Sequence, residues 1–372
     1  MKSDKNHDTV EREREREREQ HFTQQNGQLI TNKKDIKVIV AIILMILAII
    51  INVIMGFWFN HKLNRMNSNL YKEINNSAQN NSEATESKKF NFGPLIAEQP
   101  NYDAKTEYLF YTTEYLKDEN VEKDKDGVRL VRHNNEYQYN PVSIAQYGLN
   151  MYGNYIQTSN QEYYEKAKTQ ADYLLKIQDR KNGKFYYNYD FKVGGTNQTM
   201  KAPWSSAMAQ GQVISLFSRM YHISKDKTYL AAAQLAMKPL TIDVKDGGLC
   251  ADFFGHPYYE EYPTIPASYT LNGFMFTLIG LHDLYSISND KQAKQLYNDG
   301  VETLGYCLPF YDSTGISLYH LGHLTEKNLP LHTSEKYHNI HVAQLKIINQ
   351  FENNATFMYY SERWENYVKE NS

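Results

Sequence analysis

From Asn140 onward the apolar positions fall into two helical patterns that alternate along the chain. Segments opening at NPVSIAQYGL (140–149), PWSSAMAQGQVIS (203–215), LNGFMFTLIGLHDLY (271–285) and KYHNIHVAQL (336–345) are apolar nearly all round, as helices buried on every side must be. Between and after them, 163–178, 228–237, 291–307 and 356–369 carry apolar residues on one face only. The pairs Ala145-Gln146, Ala209-Gln210, Asn272-Gly273 and Ala343-Gln344 fall at comparable points, 64, 63 and 71 residues apart, which marks an internal repeat of helix pairs. An inner ring of apolar helices inside an outer ring of amphipathic ones predicts a mainly α chain, an incomplete (α/α) toroid of about four helix pairs. Glycines and prolines gather between outer and inner helices, at Gly183, Gly194, Gly195, Pro203, Gly247, Gly248, Pro263, Pro266, Gly315 and Pro330. The long loops should therefore meet at one end and line a cleft.

Upstream the pattern changes. Residues 91–139 mix Tyr, Thr and Val with turn signals such as Lys125-Asp126-Gly127 and predict a small β or irregular segment packed on the 140–372 domain. Residues 38–59 carry no charge and match the roughly 20 residues needed to cross a bilayer, so a transmembrane helix is expected there. Lys33, Lys34 and Lys37 outnumber Lys62 and Arg65 across that segment, which predicts a cytoplasmic tail (1–37) and a single-pass type II protein with its catalytic domain extracytoplasmic, extracellular or in the Golgi lumen according to host. Residues 60–90, rich in Asn, Ser and Glu, read as a flexible stem.

Composition sharpens this picture at one point. The chain has 31 Tyr against 16 Phe and 3 Trp, rings that can pack on one face and hydrogen-bond at the tip, which suits sugar binding. The tail run EREREREREQ alternates its charges and the whole chain is near neutral at −3, so no nucleic-acid partner is expected. Cys250 and Cys307 lack metal or redox spacing and could at most form one bridge.

Candidate chemistry concentrates in three segments: YYEEYPTIPASYTLNG (258–273), SLYHLGH (317–323) and KYHNIH (336–341). Pro263 and Pro266 stiffen the first, so that Glu260, Glu261 and Tyr262 are held in a loop rather than a routine helix turn. His320 with His323, and His338 with His341, stand three apart, a spacing that can hold a metal, but no further ligand accompanies them. Trp204 could stack on a sugar ring or fill the core.

These three segments, with the strings at 140–149, 203–215 and 271–285, occur in the order in which they stand in the D-glucuronyl C5-epimerase family of the heparan-sulfate and heparosan type, which the chain resembles over 137–366 in a reduced form lacking the β-sandwich insertion of the animal enzymes. The resemblance implies conversion of D-glucuronate to L-iduronate within a uronic-acid polysaccharide, by removal of the C5 proton and return of one to the opposite face. That chemistry calls for opposed proton-transfer groups but for no redox cofactor and no metal. Carried over string by string, the functional positions are Glu261, Tyr262, Tyr319 and Tyr337. Tyr137, Tyr139, Trp204, Asn272, His323 and His338 are candidate substrate contacts. Where the family often has arginine the chain has Gly322, so a cation for the uronate carboxylate must come from elsewhere, with Arg129, Arg132 and Lys184 as candidates. A homodimer is allowed for by the resemblance alone. Two alternatives stay open: a polysaccharide lyase or hydrolase on the same toroid, and a non-catalytic glycan-binding protein.

Overall fold

The computed structural model describes Arg18 and residues 90–109 and 118–371. The expected transmembrane segment 38–59, the tail apart from Arg18, and the stem up to residue 89 lie outside them. Among the described residues no helix is long and apolar enough to cross a membrane, and the single-pass, extracytoplasmic expectation is corrected on that finding.

Eight helices follow one plan. The first members of four pairs are α1 (Pro141–Thr158), α3 (Ala207–Ser224), α5 (Leu271–Ser288) and α7 (Glu335–Glu352), each 18 residues long. Their partners are α2 (Gln161–Ile177), α4 (Lys227–Ala236), α6 (Lys291–Tyr311) and α8 (Ala355–Glu370). The same two-residue link joins every pair. A left-handed residue ends the first helix (Ser159, Lys225, Asn289, Asn353), and an Asn or Asp follows whose side chain accepts a backbone N–H of the second (Asn160, Asp226, Asp290, Asn354). Such a short link turns the chain back on itself, so all four first members run in one direction.

First members begin at residues 141, 207, 271 and 335, a repeat of 66, 64 and 64. This corrects the sequence alignment of the fourth repeat: Ala209 lies in the first turn of α3 whereas Ala343 lies in the middle of α7, and the residue of α7 that corresponds to Ala209 is Tyr337. Helix α6 also runs beyond the end expected before Pro309, because buried Tyr311 donates its hydroxyl to the Tyr269 carbonyl at 2.6 Å and holds the last turn.

Helix α1 packs on α3, α3 on α5 and α5 on α7, and each has its own partner helix against it. The α3–α5 contact is backbone on backbone, since a Cβ built on Gly280 would lie 2.1 Å from the Gly211 carbonyl oxygen. Four two-stranded antiparallel hairpins precede the four first members: β1 (Val131–His133) with β2 (Glu136–Gln138), β3 (Phe191–Lys192) with β4 (Thr199–Met200), β5 (Cys250–Phe253) with β6 (His256–Tyr259), and β7 (Asp312–Ser313) with β8 (Ile316–Ser317). All four therefore meet at the N-terminal end of the inner helices.

In the irregular segment 90–109, the Phe92 and Pro94 carbonyls accept from Asn339 of α7, and residues 102–106 lie against the C-terminal halves of the first members. Arg219 of α3 and Asp283 of α5 form a fully buried ion pair at 2.6 Å, and the Tyr102 hydroxyl accepts from Arg219 while facing both Asp283 oxygens at 3.0 Å. Cys250 and Cys307 are unpaired.

Candidate active site

The first two tyrosine-bearing segments are fixed at the hairpin end by backbone hydrogen bonds. The Glu260 N–H donates to the Leu249 carbonyl and its own carbonyl accepts from Ala207, so the strand leaving β6 is stitched to the start of α3. Tyr319 is held likewise, its carbonyl accepting from Leu271 at the start of α5 and its N–H donating to His332. Tyr337 stands in the first turn of α7. Glu261 lies against the N-terminus of α5, where a Cβ on Gly273 would fall 2.4 Å from the Glu261 side chain; glycine makes that approach possible.

These residues close on a cavity of about 220 Å³. Glu261, Tyr262 and Tyr337 line it, with Tyr187, Phe191 and Trp204 forming an aromatic wall. Trp204 stacks on Tyr187 at 4.0 Å and Phe191 on Tyr262 at 5.4 Å. Tyr319 does not line the cavity. It stands behind, its hydroxyl 3.3 Å from that of Tyr262 and its ring 4.5 Å from that of Tyr337. A larger cavity of about 720 Å³, between residues 95–102 and α7, contains none of the candidate residues except through the shared helix.

Glu261 is 6% exposed and its Oε2 has no hydrogen-bond partner in the protein. Burial pushes its carboxyl up to about 7, against the opposing pull of Tyr262, Asn272 and the Gly273 backbone. Glu260 is pushed by burial to about 8, but its oxygens are taken by the Tyr269 N–H at 3.0 Å and the Ser268 hydroxyl at 3.2 Å, and it faces away from the cavity. Burial, then the neighbouring Glu261 carboxylate, raises both Tyr262 and Tyr319 well above the ordinary phenol range. The cavity thus holds a carboxylate that can ionise near neutrality beside phenols that keep their protons.

The histidines form struts. His320 accepts the Gly322 N–H at Nδ1, which leaves its proton on Nε2, donated to the Gly194 carbonyl at 3.0 Å. His338 accepts the Ser317 N–H at Nδ1 and donates from Nε2 to the Trp364 carbonyl, while the Ser317 hydroxyl lies 2.8 Å from Nδ1 of both His338 and His341. Burial holds His320 and His338 neutral, down to about 4. Among the described residues no three His, Cys, Asp or Glu side chains gather to hold a metal.

Other candidates divide. Trp204 is in the cavity wall; Asn272 and His338 are fully buried and do not reach the cavity, so direct substrate contact is corrected to support from behind. His323 is half-buried in the turn after Tyr319, outside the lining. Tyr137 is exposed on β2, and Tyr139 donates to Asp124 and stacks on Tyr173 of α2, away from Glu261. Of the expected cations, Arg129 donates to the Ser143 carbonyl, Arg132 is exposed on β1 and Lys184 donates to the Gly247 carbonyl; none lines the cavity. The lining cation is Lys336, missed in the sequence because a lysine opening a helix pattern reads as a solvated residue.

Comparison with known proteins places these residues in context. Residues 178–366, half of the chain, match the family model for the D-glucuronyl C5-epimerase C-terminus. A D-glucuronyl C5-epimerase of Caenorhabditis elegans is 35% identical over 210 residues, 53% of this chain and 34% of the relative. An uncharacterized protein of Methanocaldococcus jannaschii is 26% identical over 204 residues, 53% of this chain and 62% of the relative. The chain thus covers less than two thirds of the length of these curated relatives. A family 76 glycoside hydrolase from a bovine Bacteroides thetaiotaomicron strain superimposes over 59% of this chain and 46% of its own, at 16% identity and a TM-score of 0.43, too low to carry an argument.

Proposed function

The chain belongs to the D-glucuronyl C5-epimerase family, and from that premise we propose that it inverts C5 of D-glucuronate residues in a heparosan-like polysaccharide, giving L-iduronate. The observation that carries this reading is the unpartnered Glu261 oxygen in an aromatic-walled cavity shared with Tyr262 and Tyr337. Glu261 takes the C5 proton, and the electron pair left at C5 is drawn into the adjoining uronate carboxylate. A phenol of the cavity, Tyr262 or Tyr337, returns a proton to C5 on the opposite face. Tyr319 supports Tyr262 through their hydroxyl contact and offers a route by which the proton is replaced. The proton budget closes through exchange with solvent, and no chain cleavage is involved.

We read the row of inner helices backed by outer ones as an incomplete (α/α) toroid, with the polysaccharide crossing its hairpin end. A glycoside hydrolase needs two carboxylates about one bond, whereas among the described residues Glu261 is the one carboxylate in the lining. The test is incubation of the full chain with heparosan, followed by NMR of the product and absorbance of any C4–C5 double bond. Iduronate signals with unchanged chain length are expected. Unsaturated fragments would make the protein a lyase, and an unaltered polymer would overturn the reading.

A further inference from the structure

We propose that Lys336 is the residue that recognises the uronate carboxylate and thereby makes the site select acidic over neutral sugars. The inference rests on the epimerase reading for the identity of the sugar, and on three observations for the residue.

A C5-epimerase substrate brings a carboxylate directly onto the reacting carbon, and that group gains charge as the C5 proton leaves. A donor or cation must face it. The charge in the cavity is confined to two groups: among the described residues Lys336 is the one cation in its lining, and Glu261 the one anion. Without Lys336 a substrate carboxylate would meet the Glu261 charge with only neutral donors, Asn140, Ser143, Gln146, Ser206 and the tyrosine hydroxyls, to offset it.

The position of Lys336 also runs against local preference. It stands in the first turn of α7, where a positive charge opposes the helix dipole, and it is the exposed side chain in a lining that is elsewhere buried or half-buried. An exposed ammonium in the lining offers a point charge to a carboxylate that enters the cavity. It directly precedes Tyr337, so the group that binds the carboxylate and a group that faces the ring move as one rigid turn.

The third observation is Gly322. Its N–H is committed to His320 and it does not line the cavity, so the arginine seen at this point of the family pattern has no counterpart there. Arg129, Arg132 and Lys184 are all outside the lining. The cation has been moved to another element.

The test compares binding of a heparosan oligosaccharide with that of the same oligosaccharide after its carboxylates have been reduced to alcohols, by calorimetry on the full chain. The wild type should prefer the acidic ligand by roughly tenfold or more, a preference that weakens with salt. Lys336→Gln should remove the preference while leaving affinity for the reduced ligand unchanged, which also reports an intact fold; Lys336→Arg should keep it. A preference that survives in Lys336→Gln, or a wild type that does not discriminate, overturns the assignment. The two readings fail separately. Loss of preference in Lys336→Gln without deuterium exchange at C5 in the wild type would keep Lys336 and sink epimerisation, whereas exchange with kcat/KM unchanged in Lys336→Gln would sink Lys336 alone.

Discussion

Burial raises the Glu261 carboxyl to about 7, so near neutrality a fraction is ionised and basic enough to take a proton that an ordinary exposed glutamate would leave in place. In the proposed reaction Glu261 acts as the base when ionised, so kcat/KM should rise as pH is raised through about 7 and then level, because burial keeps Tyr262 protonated well beyond. A profile flat across neutral pH, measured on heparosan, would remove Glu261 as the base. Stability runs the other way: a raised pKa means the folded state holds the proton more tightly, so the contribution of Glu261 is full in acid and is lost as pH climbs through about 7. At this scale the sequence was legible where a motif was dense, as in YEEYP, and less so elsewhere. Tyr319 looked equivalent to Tyr262 yet stands behind it, because which of two adjacent phenols faces a cavity is decided by packing between segments far apart in the chain.

Between elements, the fold depends on how closely α3 and α5 approach. Gly280→Ala would place a methyl group 2.1 Å from the Gly211 carbonyl oxygen, and neither backbone can yield without moving its helix. We expect a loss of about 1–3 kcal/mol or more, seen as a lower denaturation midpoint, with a further loss of activity because the start of α5 supports Glu261 through Gly273. A stability equal to wild type would mean that the two helices are not in backbone contact. The helix pairs themselves are readable, since an apolar all-round pattern followed by a one-sided pattern recurs four times, whereas the Asn or Asp cap that joins each pair shows only in the structure. The exact register of the fourth was not, because Ala343-Gln344 resembles Ala209-Gln210 by composition while standing six positions further into its helix. Likewise Pro309 signals a helix end locally, and the Tyr311 anchor that overrides it is visible only in three dimensions.

For the molecule as a whole, the described residues divide the labour between two ends of one helix row. The hairpin end carries the cavity, and the opposite end is tied by Arg219, Asp283 and Tyr102, which fasten the irregular segment 90–109 to α3 and α5. Asp283→Ala would leave a fully buried guanidinium without its counter-charge and should cost about 3–5 kcal/mol in thermal or denaturant unfolding. Because neither Arg219 nor Asp283 lines the cavity, the protein that remains folded should keep its kcat; a fall in kcat at unchanged stability would contradict this separation. The sequence reads 91–139 as a segment packed on the domain but does not single out Tyr102 as its buried anchor, because no sustained period there marks one face. The central claim is that Glu261 moves the C5 proton of a uronate, and it is tested most directly by incubating the full chain with heparosan in heavy water and reading deuterium at C5 by NMR. Incorporation by the wild type that falls by about 10²–10⁴ in Glu261→Gln is the predicted result. Incorporation undiminished in Glu261→Gln, or none in the wild type, would contradict the account.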